Sequence, residues 1–120
     1  MTNSRRKGAR GELAAAKELT RLFGCEARRS QQYCGVAGDA DLITNMPGLH
    51  FEIKTVERLQ LHKALEQAES DKNYHDRQIV IYKKNHKKFV AIMYLDDLGD
   101  ISERITEFSK RNPIQDGQAD

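Results

Sequence analysis

Four residues on two short apolar runs carry most of the chemistry this chain offers. Asp39 and Asp41 occupy alternate positions at the start of Asp39–Thr44, and Glu52 and Lys54 do the same within Leu49–Val56. Alternate residues of a strand project to one face. If the two runs pair as a hairpin, Asp41 and Glu52 stand close together. Two carboxylates with no cation between them repel; a divalent metal resolves the conflict and a nearby Lys balances the remaining charge. Phosphodiester hydrolysis asks for these parts. Carboxylate oxygens hold Mg²⁺ and leave room for water and phosphate, the metal acidifies water, and an ammonium steadies developing negative charge. An Asp followed about ten residues later by Glu-x-Lys is frequent by chance in a chain that is 32% charged, so the pattern takes its weight from its strand setting.

Glu12 adds to that weight. Ala9, Leu13, Ala16, Leu19 and Phe23 fall within one arc at helical spacing, and Glu12 lies between Leu19 and Phe23 as the one charged group in that arc. A carboxylate facing a core is costly unless compensated. It either stands beside a metal, or snorkels to water or pairs with an Arg.

The elements that must position these groups follow from periodicity. Residues 8–23 read as a helix stopped by Gly24, and Cys25–Arg29 as a short strand before the polar segment Ser30–Gly38. Asp39–Thr44 and Leu49–Val56 are strands joined by the turn-forming Asn45-Met46-Pro47-Gly48. Residues 59–70 form a second helix through Leu61, Ala64, Leu65 and Ala68, with Leu61 and Leu65 as core or dimer contacts. Gln78–Tyr82 and Phe89–Tyr94 are two more strands. Ile101, Ile105 and Phe108 mark a last helix ending before Pro113. The order αβββαββα describes an α/β protein with a mixed central sheet flanked by helices. A chain of 120 residues has room for one domain, taken as 1–111, with 112–120 as a flexible tail.

Charge is unevenly spread. Residues 1–29 hold eight Lys/Arg against three Glu, although the whole chain carries only +2. A second cluster, Arg77, Lys83, Lys84, Lys87 and Lys88, has no acid within 77–88. Two such clusters suit a polyanionic partner, although charge runs alone read equally well as solvated surface. Arg28, Arg29, Ser30, Gln31 and Gln32 lie where the chain could meet a sugar-phosphate backbone beside the metal. Gln67 could reach back to the site from its helix. Cys25 and Cys34 have no metal-finger spacing with His50, His62, His75 or His86, and both are expected to be reduced. The histidines read as structural or surface residues; His50 is the exception worth keeping, since it shares the face of Glu52 and Lys54. No apolar run approaches the roughly 20 residues of a membrane-spanning helix.

Lys7-Gly8-Ala9-Arg10-Gly11-Glu12, Gly38-Asp39-Ala40-Asp41-Leu42-Ile43 and Phe51-Glu52-Ile53-Lys54 resemble, in order and spacing, the three motifs of PD-(D/E)xK Holliday junction resolvases of the archaeal and phage type. The similarity continues into Val56–Leu59, Ala64–Ala68 and Lys84-Asn85 and covers about residues 5–98. It implies a restriction-endonuclease-like fold and a metal-dependent DNA endonuclease that resolves four-way junctions. It further implies that Glu12, Asp41, Glu52 and the Ile53 position surround Mg²⁺, with Mn²⁺ as a substitute, and that Lys54 assists the attacking water. Arg5, Arg6, Lys7, Arg10, Arg28, Arg29 and Gln31 are the expected DNA contacts, with Asp39 and Gln67 as secondary candidates. The partners it implies are DNA and a second copy in a symmetric dimer, in the cytoplasm of a bacterial, archaeal or virus-infected cell. Ala40 stands where the family commonly has Pro, which leaves Asp39 as an alternative to Asp41; Leu42-Ile43 after Asp41 favours the latter. Three rivals stay open: a same-fold nuclease acting on linear or mismatched DNA, a binding module that does not cut, and a small interaction protein with incidental charge.

Overall fold

The computed structural model describes residues 4–30 and 39–114, with the side chains of 4–9 and 39–41 left aside. The order is α1 (Ser4–Phe23), β1 (Ala27–Arg29), β2 (Asp39–Thr44), β3 (Leu49–Lys54), α2 (Leu61–Asp71), β4 (Arg77–Tyr82), β5 (Val90–Ile92), a 3₁₀ turn (Leu95–Asp97) and α3 (Leu98–Arg111). This is the αβββαββα order that periodicity predicts, and the fold is an α/β, restriction-endonuclease-like one.

The five strands lie in sequence order, β1-β2-β3-β4-β5. All neighbours are antiparallel except β3 and β4, which run parallel and are joined by α2. A parallel neighbour requires a crossover, and a helix makes it while covering a sheet face. Ala64, Leu65 and Ala68 of α2 pack on Val80 at that face. On the other face α1 supplies Ala15, Ala16 and Leu19 and α3 supplies Ile101 and Phe108, closing over Leu42, Phe51, Ile53, Ile79 and Ile81. The central strands are therefore covered on both sides.

Several boundaries move, each for a local reason. α1 begins at Ser4 instead of residue 8, so Arg5, Arg6, Lys7 and Arg10 belong to its first turns. It ends on Gly24, whose φ of 69° permits the left-handed cap and whose amide donates to the Thr20 carbonyl at 2.8 Å. β1 omits Cys25 and Glu26: Cys25 turns into the core and the Glu26 amide donates to Asn45 Oδ1 at 2.8 Å. β5 shrinks to Val90–Ile92 because only those residues find partners on β4. α3 starts three residues before Ile101 and ends at Arg111, ahead of Pro113; residues 115–120 of the expected tail lie outside the described residues.

One side-chain expectation is corrected. Leu13 is 51% exposed, because the buried stripe of α1 runs through Glu12, Ala15, Ala16 and Leu19 instead. At 100° per residue Glu12 then sits in the middle of the buried stripe. Of the two leucines expected as core or dimer contacts, Leu65 is buried in the core and Leu61 is exposed on this chain.

Candidate active site

Strand pairing brings the acidic motifs together. In the β2–β3 register Asp41 stands opposite Glu52 and Asp39 opposite Lys54. Directly opposed residues of an antiparallel pair have Cα atoms about 5 Å apart. The hairpin is anchored by Gly48, at φ 77°, whose carbonyl accepts from Arg104 Nη1 at 2.6 Å.

The environment of Glu52 and Lys54 comes from the β3–α2–β4 unit. Glu52 is 1% and Lys54 6% exposed. They alternate with Phe51 and Ile53, which point into the larger core, so Glu52 and Lys54 occupy the face that α2 covers. Isolated charges buried this deeply would cost several kcal/mol each, so they persist only with polar or ionic company. Part of that company is Gln67 of α2, whose Oε1 accepts a hydrogen bond from Lys54 Nζ at 2.8 Å. The helix thereby fixes where the ammonium points.

Glu12 approaches from the other side. α1 lies close to the end of β3, because Gly11 has no side chain there: a Cβ would collide with the Thr55 methyl. Glu12 is buried, and Arg29 Nε of β1 donates to Glu12 Oε2. Pairing with an Arg was one of the two options the sequence left open for this residue. Arg29, a predicted DNA contact, is therefore engaged within the protein, with its side chain 44% exposed.

Of the other predicted residues, Arg10 and Arg28 are exposed. Arg5, Arg6 and Lys7 lie on α1, with their side chains outside the description. Gln31 and Gln32 fall outside the described residues. Ile53 is wholly buried by its side chain, so only its main-chain carbonyl is available to a metal. Among the described residues no three Asp, Glu, His or Cys side chains converge as a metal site, a description that leaves out the side chains of Asp39 and Asp41. His50 is half-buried and pairs in register with Gln78. Cys25 is buried, and burial pushes its thiol pKa up, which makes it unreactive near neutral pH.

Sequence reasoning missed a basic cavity of about 280 Å³ that opens beside Lys54 and Gln67 and is lined also by Arg58 and Lys63. The signal was present as cations flanking the start of α2, but their proximity to Lys54 depends on the crossover.

A family model described as "Phage putative PDDEXK endonuclease" matches residues 3–117. The chain belongs to this family. It is a member of the PD-(D/E)xK nuclease superfamily, and the matched span includes Glu12, Asp41, Glu52 and Lys54. No curated protein and no solved structure matches it. Among the described residues no helix is long and apolar enough to cross a membrane.

Proposed function

We propose that the chain hydrolyses DNA phosphodiester bonds at four-way junctions, using Mg²⁺ with Mn²⁺ as a substitute, and that it acts as a homodimer. The observation that carries the reading is the Asp41–Glu52 register beside a buried Lys54 whose ammonium is held by Gln67. The donor chemistry fits a hard divalent ion: two carboxylates at facing positions, with the Ile53 carbonyl beside them, offer only oxygen. Asp41, Glu52 and the Ile53 carbonyl would hold the metal, with Glu12 joining them on leaving Arg29. The bound ion supplies a polarised phosphate and an acidified water.

The chain's own residues do the rest. Lys54, oriented by Gln67, offers N–H donors to the attacking water and to the phosphoryl oxygens as charge builds on them. Its burial keeps bulk water from screening that charge. The basic residues of α1, with Arg28, draw in and align the backbone. Asp39, the register partner of Lys54, is the secondary candidate. Substrate shape rests on the resolvase resemblance, and a dimer suits it because a junction offers two strands related by approximate two-fold symmetry.

The test is to incubate purified protein with labelled four-way junction, mismatched duplex and linear duplex, with and without Mg²⁺. Cutting confined to the junction and dependent on metal is expected. Equal cutting of linear duplex would leave a nuclease but remove the junction assignment. Salt-sensitive binding without cleavage under any divalent ion would leave a binding module.

A further inference from the structure

The Lys-rich loop between β4 and β5 stands out in the sequence, yet the active-site reading gives it no task. The fold places it at the catalytic end of the sheet. Lys54 and Tyr82 are register partners, and the Lys83 amide donates to the Lys54 carbonyl at 3.0 Å, so the loop begins one residue beyond the level of the buried lysine.

The loop is also tied down. The Asn85 amide donates to Glu57 Oε2 at 3.0 Å and the Tyr82 hydroxyl donates to the Glu57 carbonyl at 3.2 Å. Within the loop, the Lys87 amide closes a turn onto the Lys84 carbonyl at 3.0 Å, with His86 at φ 62° between them. Lys83 is partly occupied, its ammonium lying 5.9 Å from the centre of the Phe89 ring. Lys84, Lys87 and Lys88 are exposed. The same Glu57 precedes Arg58, which with Lys63 lines the cavity opening onto Lys54, and among the described residues no carboxylate lines that cavity. Glu57 thus ties the loop to the segment that carries Arg58.

We infer that Lys84, Lys87 and Lys88, held by Glu57, form with Arg58 and Lys63 a second DNA-backbone-binding surface, which grips the strand running away from Lys54 on the α2 side. It is separate from the basic first turns of α1, which belong to the layer on the opposite sheet face. The inference rests on the nuclease reading for its orientation, and on geometry and charge alone for its ability to bind DNA. A cation set on a braced turn contacts phosphate with less loss of chain entropy than one on a loose loop. Its contribution appears as released counterions, about 0.9 in the salt slope for each phosphate neutralised.

The experiment compares wild type, the triple variant Lys84→Ala/Lys87→Ala/Lys88→Ala and a control pair, Lys110→Ala/Arg111→Ala, at the far end of α3. DNA affinity is measured across a salt series without divalent metal, and single-turnover cleavage at saturating protein with Mg²⁺. The triple variant should bind about 10- to 100-fold more weakly at 0.1 M salt, with the slope reduced by up to about 2.7, while the control keeps the wild-type slope. Cleavage at saturation should stay within about twofold, because no residue changed touches the reacting phosphate. Equal slope loss in the control would overturn the inference as a net-charge effect, as would an unchanged slope in the triple variant. Loss of binding to anionic lipid vesicles with DNA binding retained also overturns it. Failure of the nuclease reading shows separately, as a wild type that never cuts while the binding pattern holds.

Discussion

The hydrogen bond between Lys54 and Gln67 can be tested without any substrate. Lys54 Nζ donates to Gln67 Oε1 at 2.8 Å, and Lys54 is 6% exposed, so water competes poorly for either partner. A hydrogen bond to a charged group contributes about 1.5–3 kcal/mol net, and this burial favours the upper part of that range. Gln67→Leu keeps the volume and removes the acceptor. It should lower the unfolding free energy by about 2 kcal/mol, or roughly 8 °C in Tm for a chain of this size. The single variant also changes helix propensity and apolar burial, so the bond is isolated by a double-mutant cycle with Lys54→Met. Urea unfolding of the four proteins should give a coupling energy of about 1.5–2.5 kcal/mol. A coupling below about 0.3 kcal/mol would refute the reasoning, because two surface groups that merely lie near each other give that much. A functional readout follows from the same bond: loss of the Gln67 acceptor should slow single-turnover cleavage by about 10- to 50-fold with DNA affinity unchanged.

Three further expectations follow. Glu52→Gln and Asp41→Asn should abolish cleavage while junction binding persists, and Asp39→Asn should retain measurable activity; gel-shift and cleavage assays on one substrate check this, and the opposite ranking would show that Asp39 is the ligand. Neutralising Arg5, Arg6, Lys7 and Arg10 should flatten the salt dependence of binding by up to about 3.6 in slope, read from a fluorescence-anisotropy salt series, and an unchanged slope would remove α1 from the interface. Burial raises the Cys25 thiol pKa above its ordinary 9.0, so the folded state holds that proton after the unfolded chain has lost it. Stability from this group is present below pH 9 and falls as pH rises beyond it; in a Cys34→Ser background, urea midpoints above pH 9 should fall more steeply than in Cys25→Ala.

Periodicity made the order of elements legible because each run has one dominant repeat, 3.6 in α1 and α2 and 2 in β2. Ends were less legible, since a strand stops where its neighbour stops: β5 keeps the three residues that pair with β4, and β3 ends at Lys54, two residues short of Val56. Leu13 was misplaced because apolarity alone assigned it to the stripe, and the geometry selected a stripe centred on Glu12. The register of Asp41 with Glu52 follows from hairpin length and turn chemistry, which are local. The meeting of Lys54 with Gln67, the bracing of the Lys84–Lys87 turn by Glu57 and the pairing of Glu12 with Arg29 all cross between elements distant in sequence, and no local pattern encodes them.

The topology also explains why the candidate site lies on β3. A hairpin alone would leave Glu52 and Lys54 on a wet face, where their charges would be screened and their rotamers free. The parallel β4 forces a crossover, and the crossover helix seals that face, drying the acid and the lysine while bringing Gln67 over them. The same closure is costly to polar groups, and the fold offsets that cost by sinking Phe51 and Ile53 into the larger core on the opposite face. The apolar residues of β3 thus hold the strand in place against the desolvation of their neighbours. Replacing Phe51 or Ile53 with Ala would on this account loosen the site as well as the core, because the proposed catalytic side chains and those that anchor the strand alternate along one backbone.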